Sequence, residues 1–364
     1  MRKALLVFSI LGSLVLSYRP ASACTAFRLT AKDGTIIATR SMEFAVDLKY
    51  DLIVVPRNRA YVSPAPGGKE GLTWKTQFGF VGVAQFGMDY GVSDGMNEKG
   101  LGFGMLWFEA DMKWQDVAPG EEKSALAQLL MGDWLLGNFA SVEDVKRELP
   151  KIKVFKYTDP GTKLSPTVHF VVYDAKGGCI VIEYEDGACR VYDDPLGIMT
   201  NAPRFPWQVT NLRQYVGVSS EVPASFSMDG ITFPATGHGA GMMGLPGDLT
   251  PPSRFVRLAV LTRFADVQPD AQGALNLSEH LISAFDIPSG LVTDTLPDKT
   301  VKKETTQWIA FRDLTNRVLY FRTYDNFDLR KVDLAKLDFS GPKVNRIVMF
   351  GATETVIDLT AQKK

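Results

Sequence analysis

The sequence has few of the side chains on which metal and cofactor sites depend. It contains three histidines and three cysteines in 364 residues, with no His pair at i, i+4 spacing and no Cys pair at metal-ligand spacing. This pattern excludes an ordinary zinc site. The glycine-rich stretch 237–247 is not followed by Lys-Ser/Thr, which excludes a P-loop type of nucleotide site. We therefore expect no metal and no cofactor.

Charge and hydropathy exclude two further kinds of partner. The net charge is −1 and acidic and basic residues are interspersed, so we expect no binding to nucleic acid. Beyond the N-terminal segment, no apolar run approaches the ~20 residues needed to cross a bilayer. We therefore expect a soluble protein without stable membrane insertion.

The first 23 residues have the pattern of an export signal. Residues 2–3 are basic, residues 4–16 are almost all apolar, and residues 21–23 form the A-x-A sequence of a signal-peptidase site. The pattern predicts removal of residues 1–23. It leaves residues 24–364 as a single domain in the periplasm or outside the cell.

Removal of this segment would make Cys24 the first residue of the mature chain. A thiol needs a base to become a nucleophile. The α-amine of an N-terminal Cys, with a pKa of about 7.7–8 in model compounds, can take the proton directly or through a water. Two other interpretations of Cys24 are a lipid-anchored cysteine and an unreactive residue near a cleavage site. The Leu usual three residues before a lipidated Cys is absent.

The remaining histidines and cysteines offer few alternatives. His169 lies in a strand pattern and His280 in a helix pattern, which favours packing or surface roles, whereas His238 in a glycine-rich loop stays open as a base. Cys179 and Cys189 flank a hairpin turn that separates them along the strands. We expect both to be small buried residues without a disulfide.

Hydrophobic periodicity predicts mainly strands, with two groups of helices. We predict strands at 25–31, 35–44, 52–56, 78–86, 101–108, 167–173, 179–184, 189–192, 308–312, 318–324 and 346–350, helices at 124–139, 141–149, 253–264 and 277–285, and long loops at 58–72 and 223–249. Strands grouped in this way indicate an α+β fold with antiparallel sheets.

The first predicted hairpin places charged residues near Cys24. With Asp33-Gly34 as a two-residue turn, the register puts Cys24 opposite Glu43, whose carboxylate could hold the α-amine. Strict alternation then points Arg40 to the other face, unless a bulge brings it round. The alternative for Glu43 and Arg40 is a surface ion pair of little energetic value.

Five segments, in order, resemble the choloylglycine hydrolase family, which contains bile salt hydrolases and penicillin V acylases. They are Cys24-Thr25-Ala26-Phe27 with Thr39-Arg40-Ser41-Met42-Glu43-Phe44, then Asp94-Gly95-Met96-Asn97-Glu98-Lys99-Gly100-Leu101, then Thr200-Asn201-Ala202-Pro203 with Thr210-Asn211-Leu212, then Leu245-Pro246-Gly247-Asp248, and finally Ser253-Arg254-Phe255-Val256-Arg257.

This resemblance implies a four-layer αββα sandwich of the N-terminal-nucleophile hydrolase type, a homotetramer, and hydrolysis of an amide C–N bond. It implies that Cys24 is the nucleophile with Arg40 beside its sulfur, that Asn201 donates to the oxyanion, and that Arg254 completes the polar network. Glu43 occupies the place of a family Asp that contacts the N-terminal amine.

Trp107 stands where bile salt hydrolases carry an Asn, which resembles the penicillin V acylase-like branch of Gram-negative bacteria. The alternative for Trp107 is a core aromatic on a buried strand. We expect Phe44, Trp107 and Met242 to line an apolar acyl pocket. Penicillin V and N-acyl homoserine lactones are the expected small-molecule amide substrates. The alternatives are conjugated bile salts, or a lipid-anchored envelope binding protein without activity.

Overall fold

The computed structural model describes residues 23–109, 112–295, 298–353 and 355. The predicted signal segment up to residue 22 lies outside the described residues. The described strands are β1 (Cys24–Thr30), β2 (Ile36–Phe44), β3 (Asp51–Val55), β4 (Ala60–Ala65), β5 (Lys69–Lys75), β6 (Phe80–Ala84), β7 (Asp94–Asn97), β8 (Gly102–Trp107), β9 (Ala125–Ala127), β10 (Lys153–Phe155), β11 (Val168–Tyr173), β12 (Cys179–Glu185), β13 (Ala188–Asp193), β14 (Ile198–Met199), β15 (Phe226–Met228), β16 (Ile231–Phe233), β17 (Val292–Thr295), β18 (Val301–Asp313), β19 (Val318–Thr323), β20 (Asn326–Asp333) and β21 (Asn345–Val348).

Two large antiparallel sheets carry most of these strands. The first sheet has the order β14-β1-β2-β18-β19-β20, with β17 beside β18, and the second has the order β13-β12-β11-β8-β7-β6-β3-β21. The α-helices are α1 (Met131–Asn138), α2 (Val142–Glu148), α3 (Phe205–Asn211), α4 (Pro251–Phe264) and α5 (Ala271–Ser283). The predicted α+β class with antiparallel sheets is confirmed.

The helices cover the outer sides of the two sheets. Helices α4 and α5 pack on β1, and α5 also packs on β2 and β18, while α1 packs on β7 and β8 of the second sheet. The order of layers is therefore helix, sheet, sheet, helix. A strand in the middle of such a sandwich is covered on both faces. This explains why β2 is buried from Ile36 to Glu43, its charged side chains included.

The first hairpin has a longer turn than the sequence predicts. The backbone N–H of Ala31 donates to the carbonyl of Thr35 at 2.9 Å, so residues 32–34 form a three-residue loop. Gly34 has φ +89°, a left-handed conformation that glycine adopts without strain. Each extra loop residue shifts the pairing of the two strands. The prediction that Cys24 lies opposite Glu43 is therefore wrong, because Cys24 pairs with Met42.

Several other segments differ from the prediction. Part of the helix expected at 124–139 is the short strand β9, which pairs in parallel with β10 and leaves α1 to begin at Met131. The loop expected at 58–72 contains the β4–β5 hairpin. The loop expected at 223–249 contains the β15–β16 hairpin, whose turn residues Asp229 and Gly230 both have positive φ. Such turns favour two-residue hairpins.

Helix α2 lies within the predicted helix at 141–149, and the expectation for the two cysteines is met in part. Ser141 caps α2, and its side chain accepts a hydrogen bond from the Asp144 N–H at 3.2 Å. Cys179 and Cys189 are both free thiols, and Cys179 is buried as expected, but the prediction that Cys189 is buried is wrong, because it lies half-buried on the edge strand β13, opposite Tyr184. Of the helices in the described ranges, none has the length and apolar composition for a membrane span.

Candidate active site

Cys24 and Arg40 lie on the same face of the first sheet. Because Cys24 pairs with Met42, and Arg40 is two residues before Met42, all three side chains point into the sandwich. Arg40 Nη2 lies 3.7 Å from Cys24 Sγ and 3.3 Å from Met42 Sδ. The expectation that Arg40 points away from Cys24 is therefore wrong, and no bulge is needed to bring it round.

The environment of Arg40 keeps it charged. Burial acts to lower the pKa of its guanidinium, but Cys24 and Asp94 outweigh burial, so the pKa is raised. Arg40 Nη1 donates to the Ser93 carbonyl at 2.9 Å, and the guanidinium lies 5.0 Å from the centre of the Trp308 ring. These contacts hold a fixed positive charge beside the Cys24 sulfur.

Glu43 lies on the opposite face of β2 and is also buried. Its Oε1 accepts a hydrogen bond from Thr306 at 3.1 Å, and its backbone N–H donates to the carbonyl of Ala23. Burial raises the pKa of Glu43 to about 8, while the positive charge of Arg254 opposes that shift. Glu43 thus contacts the residue before Cys24, although it does not pair with Cys24 itself.

A second carboxylate that the sequence analysis missed lies at the same place. The Ala23 N–H donates to Glu304 Oε1 at 2.6 Å, and both residues are buried. Glu304 comes from β18, 281 residues away in sequence, and no local motif indicates it. Glu304 therefore brings its carboxylate to the N–H of the residue before Cys24, and the side chain of Glu43 interacts electrostatically with Glu304.

Asn201 and Arg254 complete the arrangement around the Cys24 backbone. Asn201 Oδ1 accepts from the Cys24 N–H at 2.8 Å and from Arg254 Nη2 at 2.6 Å. Asn201 Nδ2 donates to the Trp107 carbonyl at 2.8 Å. Arg254 Nη1 donates to the Cys24 carbonyl and to Thr25 Oγ1. Five residues predicted as catalytic thus come together: Cys24, Arg40, Glu43, Asn201 and Arg254.

His169 supports the loop that carries Asn201. Its Nε2 lies 3.0 Å from the Thr200 carbonyl and its Nδ1 lies 3.0 Å from Glu183 Oε1. The ring also stacks on Phe108, with 4.4 Å between ring centres. The contacts of His169 agree with the packing role expected for it, because they connect β11, β12 and the loop after β14.

An apolar cavity of about 190 Å³ opens beside the Cys24 sulfur. Its lining includes Phe44 and Trp107, as predicted, and their ring centres are 6.0 Å apart. Met242 is not among the lining residues in the described part of the chain. It lies instead in a short turn at residues 240–242, next to a backbone hydrogen bond between Ser219 and Gly241. The prediction that Met242 contributes to this pocket is not supported by its position.

Several lining residues were not predicted as pocket residues from the sequence. They are Met42, Leu48, Tyr50, Gln85, Ser93, Met105, Leu164 and Val168. Burial raises the pKa of Tyr50, so its hydroxyl stays neutral near Cys24. The described residues contain no group of three or more His, Cys, Asp or Glu side chains that could hold a metal ion.

Comparison with known proteins assigns this arrangement to a family. Residues 24–349 match the family model of linear amide C–N hydrolases, choloylglycine hydrolase family. The chain is 32% identical to a bile salt hydrolase/transferase of Clostridium perfringens over 325 residues, which covers 88% of this chain and 95% of that protein. It is 26% identical to a penicillin V acylase of Pectobacterium atrosepticum, over 84% of this chain and 78% of that protein.

Solved structures agree with this assignment. A variant of the conjugated bile acid hydrolase from Clostridium perfringens superposes with a TM-score of 0.82 at 28% identity, covering 93% of this chain and all of that chain. The penicillin V acylase of Agrobacterium tumefaciens has the same fold, with a TM-score of 0.73 at 23% identity over 91% of this chain and 94% of that one. The four-layer N-terminal-nucleophile hydrolase fold is therefore confirmed, and the chain belongs to the choloylglycine hydrolase family of linear amide C–N hydrolases.

Proposed function

We propose that this enzyme removes a small apolar or aromatic acyl group from an amine, as in the hydrolysis of penicillin V, and that Cys24 is its nucleophile. The observation that carries the proposal is the apolar cavity of about 190 Å³ that Cys24 and the Phe44–Trp107 ring pair line. Pockets that enclose drug-sized ligands are usually larger, about 300–1,000 Å³. A cavity of this size accommodates the acyl group and leaves the amine portion outside.

The contacts around Cys24 support a mechanism without histidine. The α-amine of the processed residue takes the thiol proton, and the sulfur attacks the carbonyl carbon of the substrate. One Asn201 N–H contacts Trp107, and the second hydrogen of that amide nitrogen is available to the developing oxyanion. The ammonium then protonates the leaving amine, and water hydrolyses the thioester to release the acid and restore the thiol.

We also propose that the chain is exported and cleaved between Ala23 and Cys24. The structure contains the uncleaved peptide, in which the Cys24 nitrogen is an amide that cannot act as a base. Glu304, which accepts from the Ala23 N–H, supports the proposal, because cleavage would place a new ammonium group one residue from the position that this buried carboxyl group contacts. Edman sequencing of protein from the periplasm or medium should begin at Cys24.

The buried position of Cys24 argues against a lipid anchor. Only 1% of the residue is exposed, and its sulfur faces the apolar cavity between the two sheets. A diacylglycerol group on that sulfur would have to displace packed residues to reach a membrane. Mass spectrometry of the exported protein separates the two possibilities, since lipidation adds mass to Cys24 and blocks its amine.

Conjugated bile salts are the second candidate substrates, favoured by the 32% identity to a bile salt hydrolase/transferase. Trp107, where those enzymes have Asn, favours the penicillin V acylase-like branch of Gram-negative bacteria. The test is kcat/KM for penicillin V, an N-acyl homoserine lactone and glycocholate, with Cys24→Ala as the inactive control. The highest value is expected for penicillin V or the lactone. A higher value for glycocholate would refute the small-acyl proposal and leave the family assignment intact.

We propose further that the enzyme is a homo-oligomer, with a homotetramer as the state implied by the family resemblance. The β15–β16 hairpin supports this, because its apolar side chains are exposed: Phe226, Met228, Ile231 and Phe233. Contiguous exposed apolar residues are typical of protein interfaces. Light scattering after size-exclusion chromatography should give a mass that is a multiple of the chain, and Phe226→Asp with Ile231→Asp should reduce it.

A further inference from the structure

Two buried arginines share one carboxylate between the sheets. Asp94 Oδ2 lies 2.9 Å from Arg312 Nη1 and 3.4 Å from Arg40 Nη1, and all three side chains have no exposed surface. Burial raises the pKa of Asp94, and Arg312 and Arg40 oppose that shift. Two guanidinium groups and a single carboxyl group leave the cluster with a net positive charge, whichever protonation state Asp94 adopts.

Arg312 does not line the cavity, but it holds the group that does contact Cys24. It comes from β18, and its Nη1 also donates to the Phe103 carbonyl while its Nε donates to the Ala38 carbonyl at 3.3 Å. The chain of contacts runs from Arg312 through Asp94 to Arg40, and then to Cys24 Sγ at 3.7 Å. Charge effects in the buried interior of a protein are much stronger than at its surface.

Other charged and titratable groups also surround Cys24. They are Arg254 on its carbonyl, Glu304 on the N–H of the preceding residue, Glu43 in electrostatic contact with Glu304 and Arg254, Tyr50 near the sulfur, and Lys163 at the cavity wall. The two glutamates lie toward the backbone nitrogen, where Arg254 and the future α-amine carry positive charge. The cluster of Arg40, Asp94 and Arg312 lies on the sulfur side.

We propose that Arg312 is a positioning residue for the reaction. Through Asp94 it keeps Arg40 next to the Cys24 sulfur. Because the two arginines carry one more positive charge than Asp94 can neutralise, the Cys24 thiolate supplies the second negative charge. When the α-amine takes the thiol proton, the ammonium remains near Glu43 and Glu304 and the thiolate completes the charge of the arginine cluster. This inference rests on the proposed role of Cys24 as nucleophile.

The proposal predicts shifts of opposite sign for two substitutions. Arg312→Met removes one positive charge and leaves Arg40 paired with Asp94, so the thiolate loses part of its stabilisation. Asp94→Asn keeps the shape of the side chain and leaves two unpaired guanidinium groups, so the thiolate becomes more favourable. If the two substitutions only disturbed packing, they would not shift the ionisation of the Cys24 thiol in opposite directions.

The experiment measures the rate at which iodoacetamide alkylates Cys24 in the mature enzyme between pH 4 and pH 10. Mass spectrometry of the N-terminal peptide separates Cys24 from Cys179 and Cys189. Alkylation needs no substrate, so the result does not depend on which amide the enzyme hydrolyses. Penicillin V hydrolysis by the same preparations tests the proposed function separately.

Arg312→Met is expected to move the midpoint of the alkylation profile upward by about one pH unit, and Asp94→Asn to move it downward by a similar amount. Arg312→Lys, which keeps the charge, is expected to restore most of the profile of the unchanged enzyme. Shifts in the same direction, or no shift, would overturn the proposal. If Arg312→Met does not fold, Asp94→Asn alone tests the proposal. An alkylation midpoint that Asp94→Asn does not lower would contradict the proposal.

Discussion

Glu43→Gln is expected to make the stability of the folded chain less dependent on pH. Glu43 is buried, and its pKa is raised to about 8 from an ordinary value of 4.5. A carboxyl group with a higher pKa in the folded state stabilises that state below the unfolded pKa, and this contribution is lost as pH rises through the folded pKa. The relevant window therefore runs from about pH 4.5 to about pH 8.

The magnitude follows from the two pKa values. Each unit of difference corresponds to about 1.4 kcal/mol, and integration over the titration gives a loss of about 3–4 kcal/mol of unfolding free energy between pH 5 and pH 8. Gln resembles the protonated acid and cannot lose a proton. The unchanged chain and Glu43→Gln should therefore have similar stability at pH 5, and the variant should be the more stable by about 3–4 kcal/mol at pH 8.

Urea denaturation followed by tryptophan fluorescence at pH 5, 6, 7 and 8 measures this difference. The protein should be expressed in the cytosol from residue 21, so that Ala23 stays attached as in the structure. Burial also raises the pKa of Asp133 to about 6 and of Asp194 to about 7, but these groups titrate in both proteins and cancel in the comparison. Glu143→Gln, at an exposed site on α2, is the matched control. Parallel pH curves for the unchanged chain and Glu43→Gln would refute the reasoning.

Other substitutions test the site directly. Asn201→Ala should lower kcat by about 100- to 1,000-fold with little change in KM, because the oxyanion contact forms in the transition state; a normal kcat in steady-state kinetics would exclude that role. Trp107→Ala should raise KM and change acyl preference through lost contact with Phe44, whereas a lower melting temperature with unchanged preference would indicate packing alone. His169→Phe leaves the buried Glu183 carboxylate without its ring partner, so the melting temperature should fall by several degrees in calorimetry, and an unchanged value would contradict this.

Much of the fold could be predicted because most buried strands have continuous apolar runs and most turns contain glycine. The register of the β1–β2 hairpin could not be predicted, since the Lys-Asp-Gly turn is compatible with loops of two or three residues. That single residue decides whether Arg40 or Glu43 shares a face with Cys24. The helix expected at 124–139 was too long because the strand β9 has the same apolar spacing as a buried helix.

The candidate site was predictable where its residues lie in recognisable motifs. Asn201 and Arg254, which the family resemblance implies are part of the site, contact the backbone of Cys24. Arg312 had no such signal, because its contact with Asp94 joins positions 218 residues apart and depends on how the two sheets face each other. Met242 was misplaced because a glycine-rich loop without periodicity gives no information about the direction in which it folds.

The three-residue turn at 32–34 has a consequence for how this family can vary. Surface turns usually tolerate insertions and deletions, because few contacts depend on their length. Here the Ala31–Thr35 pair closes the turn, so a shorter loop closed by the same pair keeps the register, whereas a deletion of one residue between Thr35 and Arg40 would present Ser41 and Glu43 to the cavity in place of Arg40 and Met42. Selection on catalysis should therefore conserve the number of residues between the turn and Arg40 more strictly than the length of the exposed loop.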